Sequence, residues 1–222
     1  VTDARNSCIK KFNSSGEFIR AWPIAKPDLE GSFYSSHLAK ITVDSSGNMY
    51  VAEDNYTWIR KLTPDGGLAA KFQMEPPVAE GECFAPRGVA VDSRGNVYIA
   101  DLYPNNWRVQ EFNPAGAFIR QWAEREKMQL PAFYDYSNEP PSVAVDNKGN
   151  TYIAVIEGEH HFICVSDANG RLLRKWGSKG TGDGQFDCPE GIAVDGSGHV
   201  YVCDRQNSRI QKFDSDGRFL AK

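Results

Sequence analysis

The chain has 222 residues, 41% hydrophobic and 24% charged, with a net charge of −4. That is enough for a sizeable core in one domain or two small ones, and the acidic balance disfavours a nucleic-acid partner. No apolar run approaches the roughly 20 residues that span a bilayer.

The predicted elements repeat along the chain. Residues 1–19, VTDARNSCIKKFNSSGEFI, align without gaps to VCDRQNSRIQKFDSDGRFL, which begins at Val202. KITVDSSGNMYVAE opens a second unit at Lys40, and GVAVDSRGNVYIAD a third at Gly88. SVAVDNKGNTYIAV opens a fourth at Ser142, and GIAVDGSGHVYVCD a fifth at Gly191. Each of these four continues into a second matching stretch, at Ile59, Val109, Ile163 and Ile210. The anchor aspartates Asp44, Asp92, Asp146 and Asp195 are about 50 residues apart, a spacing typical of repeat architectures.

Alternating apolar and polar residues divide each unit into four short strands, GIAV, HVYVCD, RIQKF and FLAK in the last copy. Gly47, Gly95, Gly149 and Gly198 fall in the first turn. Gly16, Gly66, Gly116, Gly170 and Gly217 fall in the turn before the fourth strand. A short hairpin needs a residue at positive φ there, and the preceding Asp or Asn can bond the turn backbone. The pattern predicts an all-β fold, a β-propeller of four-stranded antiparallel blades in a single domain. The units are 1–22 (partial), 38–72, 85–122, 140–177 and 188–222.

The stretch from Pro189 to Phe213, with GTGDGQF before it, resembles the NHL-repeat family, and the resemblance covers nearly the whole chain. It implies a propeller, usually of six blades, used mostly for binding and less often for catalysis. Four full blades and a partial one leave such a ring open. Closing it would take roughly 70–80 further residues at this repeat length, or partner chains in an oligomer. The chain, which begins at Val1, is therefore expected to be a piece of a longer propeller, incomplete at one or both ends. A structural subunit of a larger assembly or fibre is a further reading.

The family resemblance places the loops between second and third strands, and between blades, on one face. That face varies from copy to copy, which marks it as the place for copy-specific function. Its aromatic residues Tyr56, Trp58, Tyr103, Trp107, Tyr134 and Tyr136, with His160 and His161, are the candidate partner-binding set. Adjacent His160 and His161 would point to opposite sides of a strand, which opposes joint metal ligation. The similar peptidyl-hydroxyglycine lyases carry zinc-binding His on such loops. At the position aligned with Ser208, this chain has Ser7, Thr57, Trp107 and His161, so no catalytic zinc is expected. Asp3, Glu53, Asp101 and Asp204 recur at the end of the second strand, with Val155 breaking the series. They are expected to cap their own loops. No cofactor is predicted, a channel calcium or other cation included. His199 stands where the other turns have Asn, a structural role.

No Gly-x-Ser-x-Gly elbow, P-loop or CxxC spacing occurs, and the five cysteines allow at most two internal bridges. Asn13-Ser14-Ser15 and Asn55-Tyr56-Thr57 fit the N-glycosylation pattern. The compartment stays open, with an extracellular or cell-surface setting favoured. The leading expectation is a noncatalytic scaffold holding a protein or glycan. The alternative is a metal-dependent hydrolase or lyase with a channel site.

Overall fold

The computed structural model describes residues 2–3, 6, 8–23, 38–53, 58–73, 85–103, 106–122 and 142–222. They form five sheets. The first has three strands, β1 (Thr2–Asp3), β2 (Cys8–Phe12) and β3 (Phe18–Pro23). The second comprises β4 (Leu38–Val43), β5 (Met49–Glu53), β6 (Trp58–Leu62) and β7 (Leu68–Gln73). The third comprises β8 (Ala85–Val91), β9 (Val97–Tyr103), β10 (Asn106–Phe112) and β11 (Phe118–Trp122). The fourth comprises β12 (Ser142–Val145), β13 (Thr151–Glu157), β14 (His160–Ser166) and β15 (Leu172–Trp176). The fifth comprises β16 (Pro189–Val194), β17 (Val200–Asp204), β18 (Arg209–Phe213) and β19 (Phe219–Ala221).

Each sheet is a meander in chain order. The first strands β4, β8, β12 and β16 touch in succession, and β1 approaches β4. The same four strands line a cavity of about 430 Å³. The sheets are blades set around a channel, and the fold is the all-β propeller expected from the repeat.

The core lies between blades. Side chains alternate across each strand, so one strand feeds two interfaces. Met49 and Val51 of β5 pack against Ile9 and Trp22 of the first sheet. Their neighbours Tyr50 and Ala52 pack against Val89, Ile99 and Phe112 of the third. The third sheet meets the fourth through Tyr98, Trp122, Ile153 and Phe162, and the fourth meets the fifth through Tyr152, Ile163, Phe186 and Phe213. The outer face of the last sheet is uncovered: Ile210 is 57% exposed, whereas its counterparts Ile9, Ile59, Val109 and Ile163 are at most 2% exposed.

Two devices recur. In the first turn, Asp44 Oδ1 accepts from the backbone of Ser46 and Asn48, while Oδ2 accepts from the Asn48 side chain and the Tyr50 hydroxyl. Asp146 repeats the pattern, and Asp195 does so with His199 Nδ1 at 2.9 Å in place of the Asn amide. The second device joins blades. The side chain that ends one blade covers the second-turn glycine of the next. A Cβ on Gly170 would lie 2.6 Å from Trp122, and one on Gly217 2.6 Å from Trp176. Trp22 covers Gly66 in the same way. The aligned tryptophans therefore serve inter-blade packing.

Two predictions follow from these devices. Gly170→Ala forces a Cβ into Trp122 at φ +75, whereas Gly16, at φ +81, has nothing within 4 Å. Denaturant midpoints should show a loss of about 3 kcal/mol or more for Gly170→Ala, and about 1 kcal/mol for Gly16→Ala. The second concerns acid. The His199 N–H, then its ring and the Tyr201 hydroxyl, hold the Asp195 carboxyl well below the usual carboxylate range. Its contribution is fully present above the unfolded pKa of about 3.9, and is lost as pH falls through the depressed native value. Asp195→Asn should flatten the acid limb of a stability-versus-pH curve below about pH 4.

Candidate functional site

Strand pairing separates two faces. In the fifth sheet Val194, Val200, Phe213 and Phe219 meet at the end that carries both Gly turns. Pro189, Asp204 and Arg209 meet at the other end. The β17–β18 loop and the segment entering β16 therefore share a face, as the family resemblance implied. On this face the blades differ. The fifth sheet's hairpin closes at Asp204 opposite Arg209, whereas the third continues to Tyr103 opposite Asn106 and the fourth to Glu157 opposite His160.

Of the residues singled out from sequence, Tyr56, Tyr134 and Tyr136 lie outside the described residues. Trp58 opens β6 opposite Gln73, Tyr103 ends β9, and Trp107 pairs with Leu102. His160 is exposed, whereas His161 is 3% exposed and turned inward, as strand alternation requires.

The loop carboxylates that can be followed are caps. Asp204 is fully buried. It accepts from Asp187 N at 2.6 Å, Arg209 Nε at 2.8 Å, Asn207 Nδ2 at 3.0 Å and Gln211 Nε2 at 3.1 Å. This network accounts for the spacing D-x-x-N-x-R-x-Q in the last copy. Asp3 accepts from Asn6 Nδ2 at 2.8 Å and from Lys10 Nζ at 2.6 Å. These bonds, Lys10 foremost, lower its carboxyl to about 2. The Glu53 and Asp101 side chains lie outside the description, and Val155 is buried.

Two arginines near this face, Arg108 and Arg209, turn inward. Arg209 donates to the carbonyls of Thr181, Gly182 and Gln185 at 2.7–2.9 Å besides its Asp204 contact. Arg108 is buried and donates to Gln121 at 2.8 Å.

One grouping escaped the sequence reading. His161, Asp187 and Cys188 bring a ring nitrogen, a carboxylate oxygen and a thiol within 4.8 Å of one another. His161 Nδ1 lies 3.6 Å from Asp187 Oδ1 and accepts from Cys188 N at 3.3 Å. Burial, then the Asp187 charge, pushes the Cys188 thiol up. Cys188 is 27 positions from His161 and across a blade junction, beyond any spacing rule. The only signal was that His161 is the one imidazole among its aligned counterparts. Cys8, Cys164, Cys188 and Cys203 are all free thiols.

A family model described as NHL repeat matches residues 85–112 and 186–213. The chain belongs to the NHL-repeat family. Among curated relatives, human NHL repeat-containing protein 3 is 35% identical over 183 residues, covering 79% of this chain and 51% of that protein. Protein brain tumor of Drosophila melanogaster is 30% identical over 145 residues, covering 65% of this chain and 13% of that protein. The NHL chain thus spans about half or less of the length of these relatives. Virginiamycin B lyase from Staphylococcus aureus superposes with a TM-score of 0.63 at 15% identity, covering 100% of this chain and 64% of that one. At that identity the likeness is one of fold.

The Asp204 network gives a stability prediction. Asp204→Ala removes the counter-charge of the Arg209 guanidinium, whose side chain is 15% exposed, and leaves it only its carbonyl contacts. The change should cost about 3 kcal/mol in a urea titration.

Proposed function

We propose that this NHL propeller is a noncatalytic interaction scaffold that presents its variable face to a protein or glycan. The observation that supports this best is the division of labour between the two faces. On the Gly-turn face the anchor aspartates spend their side chains on the turns, copy after copy. On the opposite face the hairpins differ in length between blades, and the carboxylates that recur there, Asp3 and Asp204, cap loops. A surface whose frame is internally satisfied and whose loops vary suits recognition better than a fixed reaction. The aromatic residues of those loops, with Trp107 and Tyr103 foremost, supply contact area at low entropic cost.

A protein or glycan partner is favoured over nucleic acid because Arg108 and Arg209 are engaged within the fold and cannot neutralise phosphates. Among the described residues, no helix is long and apolar enough to cross a membrane. A metal-dependent hydrolase or lyase is the second reading, and the donor group at His161, Asp187 and Cys188 is the observation in its favour.

Glycan arrays and affinity capture with purified candidate partners test the first reading. Tyr103→Ala with Trp107→Ala should weaken binding by about 2 kcal/mol while leaving the denaturation midpoint in place. Binding that survives the double substitution unchanged overturns this assignment of the face.

A further inference from the structure

We propose that His161, Asp187 and Cys188 form a zinc site at the junction of the fourth and fifth blades, with three protein ligands and a fourth position for water or an external ligand. The site is independent of the scaffold reading, because it would serve a binding face and a catalytic one alike. The donor set is an imidazole nitrogen, a carboxylate oxygen and a sulfur, which suits a borderline-soft divalent ion that favours tetrahedral coordination.

The distances fit. Zinc bonds of about 2.0–2.3 Å put neighbouring ligand atoms of a tetrahedron about 3.3–3.8 Å apart. His161 Nδ1 and Asp187 Oδ1 are already 3.6 Å apart, and all three donors lie within 4.8 Å. Contraction by about 1 Å completes the geometry. Side-chain rotation of Asp187, 36% exposed, can supply part of it and leaves solvent a route to the fourth position.

The ligands sit on a fixed frame. His161 belongs to β14 and pairs with Ile156. Asp204 holds the Asp187 N–H at 2.6 Å, and Pro189 starts β16 directly after Cys188. Cys188 itself adopts φ 53, a left-handed conformation that only one other described non-glycine residue, Ser208, shares. Among the described residues, Nδ1 of buried His161 has no short hydrogen bond: it is 3.3 Å from both Phe186 O and Cys188 N. Both exceed the usual 2.9–3.0 Å, so an ion at Nδ1 would displace only weak contacts. On binding, the thiol proton leaves to solvent, the sulfur forms its bond to zinc as thiolate, and no electron is transferred.

The test uses the full chain stripped with a chelator and titrated with Co²⁺, then with Zn²⁺. Co²⁺ should produce a thiolate-to-cobalt charge-transfer band that saturates at a single ion per chain and is erased by Zn²⁺. Cys188→Ser should abolish the band, and Asp187→Asn should weaken Zn²⁺ binding by more than about tenfold. Cys203→Ser, on an exposed thiol that is not one of the three donors, should leave both unchanged. A thermal melt of each variant without metal confirms that it folds. Absence of the band in the native chain, or its persistence in a folded Cys188→Ser variant, overturns the proposal.

Discussion

Face-to-face packing of consecutive sheets carries this propeller. The second strands β5, β9 and β13 are apolar on both sides, because both sides meet a neighbouring blade, and the contact closes where an indole settles over a turn glycine. This fit is strong enough to override hydrogen bonding. The indole nitrogens of Trp22, Trp122 and Trp176 are buried with no partner. Leaving such a group unpaired costs about 1–3 kcal/mol. Burying about 150–250 Å² of aromatic surface returns about 4–6 kcal/mol. Phe72, which occupies the same position in the second blade, packs there without the polar burden.

The turns divide the molecule into a frame and a variable face. One carboxylate organises each first turn by accepting backbone and side-chain donors together, so the Gly-turn face has little freedom to differ between blades. The opposite face is released from that constraint. There, among the described residues, the same side-chain chemistry is densest around Asp204. That network anchors the segment entering the fifth blade and with it the backbone of Asp187. The cap and the donor cluster beside it are thus linked through the Asp187 backbone.

The sequence by itself determined the strands, the turns and the blade. Alternation reports locally which side of a strand is apolar, and a turn that needs positive φ announces itself as glycine. It also identified Asp3 and Asp204 as caps, because Asn6 and Asn207 lie three positions along the chain, whereas the Asp187 N–H on Asp204 comes from 17 positions away. That His160 and His161 point to opposite sides of their strand followed from alternation as well. Only the tertiary structure decided which indole meets which glycine, that Arg209 is spent on carbonyls, and that Asp187 and Cys188 stand beside His161. Those contacts join adjacent blades. Their geometry depends on how twisted sheets stack around the channel, and a one-dimensional spacing pattern carries no record of that distance.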